Sequence, residues 1–463
     1  MTGTLVTGTE LAGGTEGPKA LAPLLAVALG ALATGARLRG GPLPAGPPAA
    51  VAASVAHALG DPLPAVGAGA DLALGELATA LAAGTADPAD PRCAGHLHCP
   101  PLAVAVAAEV VAAALNPSLD SWDQGPSATE LEPRVIRALA ELVGYPAGTG
   151  VMTSGGTESN LMGLLLARGD ARRLRVFCSE IAHFSVRRNA GILGLGEDAV
   201  TPIPVDAAYR LDLAALRERV GAGDLVVATA GTTDFGSIDP LPEITGLCAV
   251  RGARCHVDAA YGGGALFSDR LAPLLAGLDR ADTVALDLHK LGWQPVAAGV
   301  FLARDAAALD PLARRVAYLN PADDEHAGYP SLLGHSLRTT RRVDAFKLAV
   351  TFRALGRAGL GRLVDACHEL ACHAAARIVA HPDLELAADP VLTTVVFRHR
   401  GGGRVNAVLR RRLLERGAAV VGRTEIEGVV WLKLTLLNPH ATADDVDALL
   451  AAVAEAGAAV VRP

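Results

Sequence analysis

Between residues 91 and 355, short apolar runs alternate with stretches whose apolar positions recur at helical spacing. That alternation predicts a parallel sheet covered on both faces by helices. Five runs read as strands: RLRVFCS (173–179), DLVVATAG (224–231), ARCHVDAA (253–260), DTVALDL (282–288) and AAGVFLARD (297–305). Residues 1–90 are rich in Ala, Gly and Pro, with RGGPLPAGPPAA (39–50) breaking helix-like segments, and read as an N-terminal arm. Beyond residue 355 the order is helix, strand (LTTVVFRHR), helix (VNAVLRRRLLERG), strand (VVWLKLTLL) and a last helix from about Ala441. The expected organisation is therefore an arm over 1–90, a large α/β domain over 91–355 and a small α+β domain over 356–463.

Hydrophobic residues make up 51% of the 463 positions and aromatics only 3%, so the core is built from Ala, Val and Leu. A formal charge of -7 gives no basic footprint for nucleic acid or an anionic membrane. The longest uncharged run, Ala20 to Ala36, is interrupted by Pro23 and Gly30 and preceded by Glu10 and Glu16. It reads as a buried or interface helix rather than a leader or a membrane span. Seven cysteines without a C-x-x-C pair read as reduced thiols of a cytoplasmic protein. CAGHLHC (93–99) and CHELACH (367–373) lack the paired spacing of zinc ligands, and neither is read as a metal site.

The strand ends carry the candidate chemistry. Asp258 closes one run and Lys290 follows another, thirty-two positions later. Lys290 is one of only four lysines, with Lys19, Lys347 and Lys433, in a chain whose positive charge is otherwise arginine. Arginine stays protonated and forms no imine, so a lysine kept here suggests nucleophilic chemistry. A pyridoxal phosphate enzyme needs such a pair: an amine to hold the cofactor aldehyde and a carboxylate to keep the pyridine nitrogen protonated. Ser154, Gly155, Gly156 and Thr157 lead into a helix with Leu161, Leu164 and Leu165 on its apolar side. That turn is either a phosphate cradle or an ordinary helix cap. His183, after the first strand, either stacks on a ring or is a satisfied core histidine. Thr232 and Thr233 are hydroxyls for a cofactor or substrate carboxylate, or simply turn residues. Ala260 is small enough for a ring face to pack on, and His289 stands where it would reach a phosphate.

TSGGTESN, AGTTDFGSIDP, HVDAAYGG and LDLHK together resemble the group II pyridoxal-dependent amino acid decarboxylases, from about residue 91 to the C-terminus. The resemblance implies PLP fold type I, aspartate aminotransferase-like, with a central mostly parallel sheet and a homodimer whose active sites lie at the interface. It implies Lys290 as the cofactor-holding lysine, Asp258 as the pyridinium partner, and His183 and Ala260 on the two ring faces. Gly156, Thr157 and His289 match phosphate-binding positions, with Ser154 and Gly155 on the same turn, and Thr233 a position near the reacting carboxylate. GHLHCP, ALNPSLDSWDQGPSAT and SLRTTRRVDAFKL resemble the bacterial L-2,4-diaminobutyrate decarboxylases within that family. His98, Asp120 and Asp123 would then border the substrate side chain, where a carboxylate attracts a distal ammonium and repels a distal carboxylate. Tyr329, between Gly328 and Pro330, matches a loop tyrosine that donates a proton in related enzymes. Cys93 and Ala94, and Gly292 and Trp293, depart from aromatic positions of relatives. Decarboxylation of lysine or ornithine, aspartate, glutamate or an aromatic amino acid, and an aldehyde-forming outcome, are the alternative readings.

Overall fold

The computed structural model describes residues 8–169 and 173–461. The chain gathers into two compact units. Of the described residues, the larger holds those of Leu97–Cys372 with Ala388–Val395, and the other holds those up to His96, His373–Ala387 and those from Val396 onward.

The larger unit is built on seven strands: β1 (Thr149–Thr153), β2 (Val176–Ser179), β3 (Val200–Ile203), β4 (Leu225–Thr229), β5 (Arg254–Ala259), β6 (Thr283–Asp287) and β7 (Gly299–Ala303). Their order is β1-β7-β6-β5-β4-β2-β3. Strands β2 to β6 pair in parallel, whereas β7 runs antiparallel to both β6 and β1. The five strands read from apolar runs are all present. The two that were not read, β1 and β3, carry Gly150 and Pro202, which blur an apolar run.

Strand β5 is the centre of the sheet, and Cys255, His256, Val257 and Ala259 are buried on it. The helix Gly156–Arg168 lies against it so closely that a Cβ on Gly163 would stand 2.7 Å from the His256 ring. Ser159, Asn160, Met162, Gly163, Leu164 and Leu166 are buried on that helix, while Leu161 and Leu165 are only half-buried. The buried face thus differs from the expected leucine stripe, because small and polar residues meet the sheet there.

In the other unit, β8 (Leu384–Leu386), β9 (Thr394–His399), β10 (Gly422–Ile426) and β11 (Val429–Thr435) form a sheet in the order β10-β11-β9-β8. The helices Gly403–Glu415 and Ala443–Val461 match the two expected near the C-terminus. The N-terminal helix Gly17–Arg39 packs on the helix Ala70–Gly84, yet only Gly17, Ala31 and Gly35 of it are buried. Leu29, Leu32 and Leu38 stand exposed, so of the two expected settings, buried or interface, the helix is not buried within one chain. Its main packing partner among the described residues is the helix Ala70–Gly84, and those leucines face outward. It is long and apolar enough to cross a membrane by length and composition.

The four lysines occupy different settings. Lys19 is exposed and paired with Glu16, and Lys347 is buried in ion pairs with Glu109 and Asp344. Lys433 is buried on β11, and Lys290 lies on the turn after β6.

Candidate active site

The carboxyl ends of β4, β5 and β6 and the turn after β1 enclose a cavity of about 290 Å³, where ligands bind in open α/β sheets. Ser154, Gly155, Gly156, Thr157, His183, Thr233, Asp258, Ala260, His289 and Lys290 all line it. Thr232 does not; its hydroxyl is buried against Ser237 Oγ at 2.7 Å.

Each residue is held by its element. Asp258 ends β5, where its Oδ1 accepts from the Ala260 amide at 3.1 Å and its Oδ2 from Asn160 Nδ2 at 2.8 Å. Asp287 ends β6, and the turn that follows brings Lys290 Nζ to 3.0 Å and His289 Nε2 to 3.4 Å from its Oδ2. The Ala298 amide donates to His289 Nδ1 at 3.2 Å, leaving the ring proton on Nε2, toward Asp287. His183 Nδ1 meets Ser185 Oγ at 2.8 Å and the Ser185 amide at 3.3 Å. Burial holds His183 and His289 below the ordinary imidazole range, against the opposing pull of Asp258 and Asp287 respectively.

The turn before the helix Gly156–Arg168 is bare backbone. Gly155 sits at φ +150°, and a Cβ there would meet His289 Cε1 at 3.2 Å. A Cβ on Gly156 would meet Ala260 Cβ at 2.8 Å and Asp287 Oδ2 at 3.3 Å. Glycine is therefore required on both counts. Glu158 closes the turn by accepting from the Ser154 amide at 2.6 Å, and Arg338 pairs with it at 3.0 Å.

Asp287, Tyr261 and Asn160 were not singled out in the sequence. Asp287 lines the cavity with only 5% of its surface exposed, and its Oδ1 is buried without a hydrogen-bond partner. The signal was an acid at a strand end three positions before Lys290. Tyr261 lines the cavity with its hydroxyl between Thr393 and Thr394.

His98, Asp120, Asp123 and Tyr329 lie outside this cavity. Asp120 is buried, with its Oδ1 unpartnered, and His98 is exposed. Asp123 accepts from Ser121 Oγ at 2.5 Å. With Trp122 and Tyr329 it lines a second cavity, where those two rings meet edge-on at 5.0 Å. No group of three His, Cys, Asp or Glu side chains able to hold a metal occurs among the described residues.

An amine, two buried carboxylates and a bare glycine turn at the ends of parallel strands define the class to which the comparisons assign the chain. Residues 69–400 match the pyridoxal-dependent decarboxylase conserved domain. The chain is 46% identical over 416 residues to the L-2,4-diaminobutyrate decarboxylase of Rhizobium meliloti (strain 1021), covering 85% of this chain and 83% of that protein. It is 38% identical over 403 residues to the same-named enzyme of Acinetobacter baumannii, covering 78% and 79%. Among solved structures it resembles the glutamate decarboxylase domain of diaminobutyrate-pyruvate transaminase and L-2,4-diaminobutyrate decarboxylase from Vibrio parahaemolyticus. There the TM-score is 0.86 at 31% identity, over 97% of this chain and 98% of that one. The chain belongs to the pyridoxal-dependent decarboxylase family. It is a pyridoxal phosphate-dependent amino acid decarboxylase of fold type I.

The cavity fits that cofactor. The bare backbone of Gly155 and Gly156 lines the cavity at a helix N-terminus, a setting that suits a phosphate. Lys290 and Asp258 supply the amine and the carboxylate such a ring demands.

Proposed function

We propose that this enzyme decarboxylates L-2,4-diaminobutyrate, releasing CO2 and 1,3-diaminopropane. The observation that carries the substrate is the 46% identity to the Rhizobium meliloti enzyme over 85% of the chain. When bound, pyridoxal phosphate supplies a protonated ring that takes up the electron pair left as the Cα–carboxylate bond breaks.

The chain's own residues then divide the work. Lys290 is the amine that holds the cofactor, and Asp258 keeps the ring nitrogen protonated through its opposite charge. His183 packs on one ring face and Ala260 on the other. Ser154, Gly155, Gly156, Thr157 and His289 hold the phosphate, and Thr233 contacts the carboxylate that leaves. Their common cavity supports these assignments. Tyr329 donates the proton that replaces CO2 at Cα.

Asp120, Asp123 and His98 serve the substrate side chain of the partner subunit's site in a homodimer. Their place outside the lysine cavity of their own chain supports this. A carboxylate bordering the substrate side chain attracts a distal ammonium and repels a distal carboxylate. The exposed leucines of the helices Gly17–Arg39 and Ala70–Gly84 support a second copy as their cover. Seven unpaired thiols support a cytoplasmic setting.

The test is to load the purified protein with pyridoxal phosphate and offer L-2,4-diaminobutyrate, lysine, ornithine, aspartate, glutamate and aromatic amino acids. CO2 and 1,3-diaminopropane should form with the highest kcat/KM on the first. A best substrate with a distal carboxylate or an aromatic ring would overturn the substrate, and an aldehyde product would overturn the outcome.

A further inference from the structure

Behind the cavity wall lies a chain of polar side chains that are wholly buried: Asn160, Ser185 and His256 are each 0% exposed. Buried polar atoms are paired in the large majority of cases, and here the partners within hydrogen-bond distance fix the proton positions. Asp258 Oδ2 is a carboxylate acceptor, so the Asn160 atom 2.8 Å from it is the amide nitrogen. The second N–H of that amide goes to Ser185 Oγ at 3.0 Å. Asn160 Oδ1 then needs a donor, which is His256 Nε2 at 2.9 Å. His256 Nδ1, left without a proton, accepts from Thr283 Oγ1 at 2.8 Å.

The other branch runs to the ring-facing histidine. Having accepted from Asn160, the Ser185 hydroxyl turns its only proton to His183 Nδ1 at 2.8 Å. The Ser185 amide points at the same nitrogen from 3.3 Å. His183 is thereby neutral, with its single ring proton on Nε2.

We propose that Asn160 is a positioning residue that sets the proton state of both cavity-wall groups, holding the Asp258 carboxylate with one N–H and, through Ser185, keeping His183 neutral with the proton on Nε2. The proposal rests on the roles given above to Asp258 and His183, and it explains why one amide should join them. A cation at His183 would oppose the ring-nitrogen proton that Asp258 favours, whereas a neutral imidazole does not. The absence of a side chain at Gly163, one turn along the same helix face, lets the helix approach close enough for Asn160 to reach His256.

The test uses protein labelled with 15N in its histidine rings, free and loaded with ring-15N pyridoxal phosphate, with the His183 signals assigned by their loss in His183→Gln. From pH 6 to 8 the wild type should show His183 as the neutral Nε2–H tautomer. Ser185→Ala should turn His183 into a tautomer mixture while the cofactor nitrogen keeps its shift. Asn160→Ala should disturb both signals and weaken cofactor binding about tenfold, the loss expected of one hydrogen bond to a charged group. A merely structural defect would lower Tm without separating the two signals.

A protonated or Nδ1–H His183 in the wild type overturns the inference, as does an Asn160→Ala variant with both signals unmoved. If Asn160→Ala does not fold, the wild-type tautomer and the Ser185→Ala split still decide it. Asp258→Asn separates the two readings. If that change leaves the cofactor nitrogen unmoved, the role of Asp258 fails; if it moves the nitrogen and Asn160→Ala does not, only the present inference fails.

Discussion

Two cavities of similar size in the larger unit are built in opposite ways. The one at the strand ends, about 290 Å³, is walled by Asp258 and Asp287, which the sheet buries to 6% and 5% exposure. The one lined by Trp122, Asp123, Tyr318 and Tyr329, about 330 Å³, is walled by loops, and Tyr329 keeps 47% of its surface exposed. In the first, Asp258 and His289 are tied to backbone amides and Lys290 to Asp287 before a ligand arrives. In the second, Asn320 is tied to backbone while the Trp122 and Tyr329 rings rest on each other, so the working position of the exposed Tyr329 depends on what covers it. Preorganised groups contribute through electrostatics already in place. Loop groups contribute only after closure or assembly.

The strongest way to break this contrast is at Lys290. Lys290→Ala should abolish turnover and the borohydride-reducible linkage, and a reduced label found on another lysine would contradict the assignment. Asp258→Asn should retain cofactor while lowering kcat by about a thousandfold, as expected when a charge aimed at the reacting system is removed. A kcat within about threefold of wild type would show that the strand-end wall is not preorganised for chemistry.

The loop cavity should respond differently. Tyr329→Phe should still release CO2 from the substrate, but with the proton to Cα missing, oxygen and water convert part of the product to aldehyde, ammonia and peroxide. Amine formed at the wild-type rate would mean that another group delivers the proton. Asp120→Ala should lower kcat/KM for a diamino acid by about 1.5–3 kcal/mol, one charge-assisted contact, and leave cofactor binding alone. Unchanged selectivity would return Asp120 to a structural acid.

The smallest effect concerns acid stability. Burial depresses the imidazoles of His183, His256 and His289 below their unfolded value of about 6.5. The unfolded chain therefore binds protons that the folded one refuses. Stability is full above about pH 6.5 and falls as the pH drops below it, by at most about 1.4 kcal/mol per pH unit for each imidazole. His256→Gln should flatten the dependence of Tm on pH over that window, and an unchanged slope would assign the acid loss to other groups.

Legibility in the sequence follows the same division. Asp258, Lys290 and the glycine turn were readable because strand ends and glycines mark the backbone that carries them. Asn160 and Ser185 were not, since a polar residue in the first turns of a helix reads as a cap until its burial is known. Asp287 was not legible because an acid at a strand end reads as a solvated residue until its burial is known. The place of Tyr329 and Asp123 depends on loops that meet from distant parts of the chain, and no local pattern reports such a meeting. The helix Gly17–Arg39 announced its apolar character but not what covers it.

The scarcity of lysine has a practical side. Reactive aldehydes modify amines indiscriminately, and most proteins offer dozens. Here Lys347 and Lys433 are buried and Lys19 is exposed, so Lys290 competes with few other side-chain amines. A chain so sparing of side-chain amines offers excess pyridoxal phosphate few adventitious points of attachment. The cofactor left covalently bound after hydride reduction and removal of the excess then approaches a count of competent sites per subunit.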